Sequence, residues 1–98
     1  SLWSRAMLAM GVGIDEVWRR MERHAGETFT QVRGGTFKYA IHGNGLDLNR
    51  TNQVLQRSQI EEAVDRLPLE NTSSVQDLRG PSYLYAILMD PRIRRDDW

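Results

Sequence analysis

The hydrophobic pattern of this chain changes its period near Gly26, and this change limits the possible fold more than any other feature. Before Gly26, apolar residues recur every three or four positions, which is the spacing of one helix face. After Gly26, apolar and polar residues alternate, as in a half-buried β-strand. A chain of 98 residues has room for one core. We therefore expect a single α+β domain over residues 1–98.

Two helices are predicted before Gly26. The first spans residues 3–10 and ends at the glycines that precede Ile14; a single helix bent at these glycines is the alternative. The second begins near Ile14 and has acids in its first turn and arginines near its end, which suits the helix dipole. Ser1 and Leu2 resemble a remnant of an expression vector, so they carry no functional weight.

The alternating region predicts a three-stranded antiparallel sheet. Gly34 and the glycine after it indicate a hairpin turn between a strand at residues 28–32 and a return strand at residues 37–41. In the return strand Phe37, Tyr39 and Ile41 point to one face, which we expect to be buried. A third strand is predicted over residues 46–49, and Val54 with Leu55 suggests a short edge strand.

Two C-terminal helices complete the predicted fold. Ser58 and Glu61 have the spacing of a capping box, so a helix is expected to begin at Ser58 and to end before Pro68. Residues 70–76 are polar and predict an exposed loop. The last helix is expected to begin at residues 80–82, where Ser82 is a candidate cap, and to stop at Asp90.

Composition and motifs favour a protein without catalysis. The chain has no cysteine, so disulfides, thiolate metal sites and cysteine nucleophiles are excluded. Nothing in the spacing brings His24 and His42 together, and no nucleophile or phosphate-loop motif occurs. We expect no metal, no cofactor and no catalytic residue. Because no stretch approaches the roughly 18 apolar residues of a membrane span, we expect a cytoplasmic protein without a membrane partner.

Binding is the remaining class of function, and protein interaction is its leading form. Trp3, Met7 and Met10 share one face of a short helix that must bury them against something. Tyr85 points away from the apolar stripe of the last helix, and Trp98 follows in a charged tail. We therefore expect a protein-interaction module, most simply a homo-oligomer, with these five residues as its candidate interface.

A nucleic-acid-binding accessory or regulatory domain is the alternative. Basic and amide side chains would line one face of the predicted sheet, where they suit phosphates and base edges. A formal net charge of +0 argues against attraction of the whole molecule to nucleic acid. The candidate contacts are Arg33, Lys38, Arg50, Asn52 and Arg57.

One resemblance is present, and it covers residues 34–94. Its segments are made of turn and cap residues, and they resemble small bacterial proteins with no assigned activity. The resemblance therefore implies a bacterial source but no function. The segments are Thr36-Phe37-Lys38-Tyr39, Arg50-Thr51-Asn52, Arg57-Ser58 and Gly80-Pro81-Ser82-Tyr83.

Overall fold

The structure, a computed structural model, describes residues 12–98, so the helix predicted over residues 3–10 lies outside it. The described part has the expected α+β fold with one hydrophobic core. Its helices are α1 (Ile14–Arg23), α2 (Arg57–Val64), α3 (Pro81–Leu88) and α4 (Pro91–Arg94). Its strands are β1 (Phe29–Thr30), β2 (Thr36–Phe37), β3 (Tyr39–His42), β4 (Gly45–Leu48) and β5 (Val54–Gln56).

Helix α1 forms where the helical period predicts it. Val17, Trp18 and Met21 are buried on one side, and the charges at both ends suit the helix dipole. Arg20 is buried as well, which the sequence did not indicate. Its guanidinium donates to the carbonyl oxygen of Ile93 at 2.8 Å. Helix α1 is therefore bonded to the C-terminal segment as well as packed against the core.

The strands form two sheets, whereas a single sheet was predicted. Strands β1 and β2 pair as a hairpin, and β3, β4 and β5 form a separate antiparallel sheet in that order. The break falls at Lys38, whose amide donates to Asn49 Oδ1 at 2.7 Å. The carbonyl oxygen of Lys38 accepts the Asn49 amide at 3.1 Å. Because both backbone groups of Lys38 bond to this loop residue, the chain changes its partner strand there.

The predicted alternation of buried and exposed side chains is confirmed across this break. Phe37 and Tyr39 are buried and Ile41 is half-buried, whereas Lys38 is exposed. The ring centroid of Phe29 lies 6.0 Å from that of Phe37 and 5.2 Å from that of Tyr39. The centre of the core is therefore aromatic, and both sheets contribute to it.

The capping box predicted at Ser58 is wrong. Helix α2 begins at Arg57, its N-cap is Gln56, and no side chain caps it. Ser58 is exposed within the first turn. The amide of Arg57 donates to the carbonyl oxygen of Asn44 in the β3–β4 turn, at 2.8 Å. Because this turn accepts the first amide, a tertiary contact sets the start of the helix.

The C-terminal third is more structured than predicted. Residues 70–76, expected as an exposed loop, contain a 3-10 turn (Thr72–Val75), and Val75 is fully buried. After α3, the carboxylate of Asp90 accepts the amide of Arg92 at 2.9 Å and so caps α4. None of the helices within residues 12–98 combines the length and the hydropathy needed to cross a bilayer.

Candidate interaction surfaces

The turn of the β1–β2 hairpin exposes an apolar side chain. Val32 is 68% exposed, and no other large hydrophobic residue within residues 12–98 is exposed. The alternation predicted Val32 in a strand, but β1 ends at Thr30. The turn is closed by a hydrogen bond from the Gly34 amide to the Gln31 carbonyl oxygen at 2.9 Å, and Gly34 has a φ of 93°. The turn geometry therefore places Val32 at the surface.

Two clefts meet at Val32. One cleft of about 480 Å³ lies between the hairpin turn, Gln76 and the start of α3 at Ser82. The other, of about 210 Å³, lies between the hairpin and the end of α3, where Tyr85 and Met89 line it. Ser82, Tyr85 and Met89 line the two clefts at spacings of three and four positions, so they lie on one face of α3 and its C-terminal end. We call the two clefts together the hairpin groove.

Hydrogen bonds join the two walls of the hairpin groove. Gln31 Nε2 donates to Ser82 Oγ on α3 at 2.9 Å, and the Gln31 amide donates to the Gly35 carbonyl oxygen at 2.7 Å. At the other end, Arg92 donates to the carbonyl oxygen of Thr28 at 2.9 Å. Ser82, a predicted cap, thus bonds to the hairpin instead. The bond to Ser82 therefore holds the hairpin against α3, and the bond from Arg92 holds Thr28 against α4.

Arg92, which follows the cleft-lining residues Asp90 and Pro91, forms a network of ion pairs. Its guanidinium binds Asp90 through two hydrogen bonds of 2.9 and 3.0 Å, binds Glu27 at 2.8 Å and lies 4.0 Å from the ring centroid of Phe29. Burial raises the pKa of the Asp90 carboxyl, but hydrogen bonds from Arg92 outweigh it and bring that pKa below its usual value. The carboxylates in turn raise the pKa of Arg92. This cation is neutralised within the fold.

Of the predicted interface residues, Tyr85 lines the hairpin groove and is half-buried. Trp98, also predicted as an interface residue, is buried. Its side chain is only 5% exposed, and its indole Nε1 donates to the Leu88 carbonyl oxygen at 2.8 Å. Trp98 is therefore part of the core, where its polar edge is satisfied. The other three candidates lie outside the described residues: Trp3, Met7 and Met10.

Three of the predicted nucleic-acid contacts surround the hairpin. Arg33 lies in the turn and Lys38 at its base, and both are exposed. Arg50 Nη1 donates to the carbonyl oxygen of Thr36 at 3.3 Å. A Cβ at Gly35 would lie 2.8 Å from the same Nη1, so the guanidinium packs against a turn that has no side chain there. We call Arg33, Lys38 and Arg50 the hairpin patch.

The other two predicted contacts are placed differently. Arg57 pairs with Asp15 of α1, and its guanidinium lies 5.4 Å from the ring centroid of Trp18. Its charge is therefore compensated at α1. The sequence had suggested that Arg57 lies on the same basic face as the other candidates, but it does not extend the hairpin patch. Asn52 is exposed in the β4–β5 loop, two residues after Arg50.

Charge is unevenly distributed along the chain, although it cancels in total. Residues 28–60 contain four basic residues and one acidic residue, Asp47, whereas residues 61–98 contain five basic and eight acidic residues. Asp47 Oδ2 lies 3.5 Å from His42 Nε2. Arg33, Lys38 and Arg50 have no carboxylate within ion-pair distance among residues 12–98. A count by segment would have revealed this local excess of positive charge, which the zero total conceals.

The titratable residues do not converge on a metal-binding cluster within the described part of the chain. His24 Nδ1 lies 2.8 Å from Glu27, far along the chain from the pair formed by His42 and Asp47. Comparisons with protein-family models, with curated proteins and with solved structures gave no significant match.

Proposed function

We propose that this chain is a non-catalytic protein-interaction module that self-associates through the hairpin groove, with the cytoplasm as its compartment. The exposure of Val32 where two clefts meet carries the proposal. An apolar side chain in such a place leaves water only when another surface covers it. Full burial of a valine contributes about 1.5 kcal/mol or more, and a dimer would bury two copies.

The charges beside the groove support a second copy of the chain as the occupant. The net charge of +0 gives two copies no mutual repulsion. Arg33 borders the larger cleft, and Asp90 borders the smaller one. In a two-fold dimer the groove meets itself in the opposite direction, so the larger cleft of one copy faces the smaller cleft of the other. The same arrangement brings Val32 of both copies near the axis.

Sedimentation velocity of the full chain tests this proposal between about 5 and about 100 micromolar protein. We expect a dimer that persists in about 1 M NaCl, because apolar burial is not screened by salt. Val32→Glu should yield a monomer, since it would bury a carboxylate without a partner. Ala25→Glu is the matched control, because Ala25 is exposed and does not line the groove. A wild-type monomer throughout, or a Val32→Glu dimer, would contradict the proposal.

A third variant separates the groove from the N-terminal apolar face predicted from the sequence. Trp3→Ser, Met7→Ser and Met10→Ser are combined in one full-length chain. Association through the groove predicts that this variant remains a dimer while Val32→Glu does not. The opposite result would assign self-association to the N-terminal face and exclude the groove.

A further inference from the structure

We infer that the hairpin patch binds duplex DNA, with Lys38 and Arg50 on phosphates and the turn that carries Arg33 in the major groove. The patch shares Arg33 with the lining of the larger cleft, so DNA and a second copy of the chain would compete for the hairpin turn, but the inference does not rest on self-association. The inference starts from the position of three exposed cations around one two-stranded ribbon. The major groove of B-DNA, about 12 Å wide, admits a two-stranded β-ribbon.

The hairpin patch differs from the other cations of the chain in its surroundings. Arg20, Arg57 and Arg92 each have a carboxylate within hydrogen-bond distance, so their charges are compensated inside the fold. Exposed Arg19 and Arg66 also pair with carboxylates, and Arg23 is next to Glu22 in the sequence. The segments that carry the patch, residues 28–46 and 48–60, contain no acid. The positive potential therefore adds up at the hairpin, where an anion meets least repulsion.

The hairpin also has the form that entry into a groove requires. The two residues after Arg33 are glycines, so the turn has no side chains on that side and remains narrow. Gly34 adopts the positive φ of 93° that the sharp bend needs. The bond from Gln31 to Ser82 fixes the ribbon to α3, so little conformational freedom is lost on binding. Arg33 at the turn offers a planar fork suited to guanine O6 and N7. Asn52, exposed near Arg50, adds an amide that can contact phosphate or sugar.

Two other polyanions fit these observations less well. Single-stranded nucleic acid is bound on exposed aromatic platforms, but the aromatic residues within residues 12–98 are buried or half-buried. An anionic membrane surface favours a broad apolar face beside the cations. At the hairpin, Val32 is the single exposed large apolar side chain of the described residues. The hairpin patch therefore favours a duplex, whose phosphates flank a groove.

The salt dependence of binding to a duplex of about 20 base pairs tests the inference. Two phosphate contacts, from Lys38 and Arg50, predict a log-log slope of about −1.8, which is about a 12-fold loss of affinity between 50 and 200 mM salt. Lys38→Gln with Arg50→Gln should remove both phosphate contacts, so the remaining binding should be weak and its slope close to zero. All three substitutions to Gln should abolish binding. Fluorescence anisotropy with the full chain measures each affinity.

The matched control for the double variant is Arg23→Gln with Arg79→Gln, which also removes two positive charges. Both arginines are exposed and lie outside the patch. Its slope should equal that of the wild type. An equal flattening in this control, or no binding at 50 mM salt, would overturn the inference. Duplex RNA of the same length should bind more weakly, because its major groove is too narrow for the hairpin. An equal affinity for RNA would contradict the insertion of the turn into the major groove. Binding to phosphatidylserine vesicles that depends on the patch, without binding to DNA, would assign the patch to membranes instead.

Discussion

Replacing Tyr39 with alanine should lower the free energy of unfolding by about 4 kcal/mol. Tyr39 is 2% exposed, and its hydroxyl donates to the carbonyl oxygen of Met21 at 2.6 Å. In a regular helix that carbonyl would accept the amide of Ala25, which instead donates to Glu22 at 3.3 Å. Tyr39 therefore satisfies a buried group at the end of α1 that the helix leaves without a donor. Its own carbonyl oxygen accepts the Gly26 amide at 2.9 Å.

The expected loss has two parts that a second variant separates. Removing a buried aromatic ring of about 200 Å² at about 25 cal/mol per Å² gives about 5 kcal/mol as an upper estimate, and measured losses for such changes are about 3 to 5 kcal/mol. Tyr39→Phe keeps the ring and leaves the Met21 carbonyl without its donor, which costs about 1 to 2 kcal/mol. Burial raises the pKa of the Tyr39 hydroxyl, so it remains a donor at neutral pH.

Urea unfolding followed by far-UV circular dichroism measures the stability of both variants. The slope of the free energy of unfolding against urea concentration should equal that of the wild type. A loss below about 0.5 kcal/mol for Tyr39→Ala would show that Tyr39 is not in the core. A loss for Tyr39→Phe as large as that for Tyr39→Ala would refute the division between ring and hydroxyl. The first result would also contradict the position of Tyr39 in strand β3 described above.

Two further predictions concern caps. Ser58→Ala should change stability by less than about 0.5 kcal/mol, because the hydroxyl makes no capping bond; a loss near 1 kcal/mol in the same urea assay would restore the capping box. The Asp90 carboxyl, whose pKa lies below its ordinary 3.8, stabilises the fold fully above pH 3.8, and this contribution is lost as the pH falls through the lower folded-state pKa. Asp90→Asn should therefore lose less stability than the wild type between about pH 4 and pH 2; equal losses would exclude this carboxylate as a source of acid sensitivity.

Much of the fold follows from patterns that are local in the chain. The helical spacing of Val17, Trp18 and Met21 predicts α1 and its buried face. The alternation through Phe37 and Tyr39 predicts which side chains are buried, and this holds even where the strand changes its partner. Such patterns are readable because the repeat of a helix or strand sets the direction of each side chain.

The candidate surfaces were predictable only in part. Arg33, Lys38 and Arg50 were proposed as a group from residue type and position, and the structure places all three around the hairpin. Arg57 carries the same side chain, yet it pairs with Asp15, which is far from it in the sequence. The hairpin groove was missed, because its walls come from segments some fifty residues apart, as the bond between Gln31 and Ser82 shows.

By itself, the sequence determined the fold class, the approximate positions of the main helices and strands and the local excess of positive charge between residues 28 and 60. Only the tertiary structure decided that Trp98 is buried, with its indole bonded to the Leu88 carbonyl oxygen. It also decided that the chain passes from one sheet to the other at Lys38 and that Val32 is exposed between two clefts. The physical reason is the range of the interactions involved. Side-chain direction repeats with the local backbone, whereas burial and charge compensation depend on neighbours supplied by distant parts of the chain.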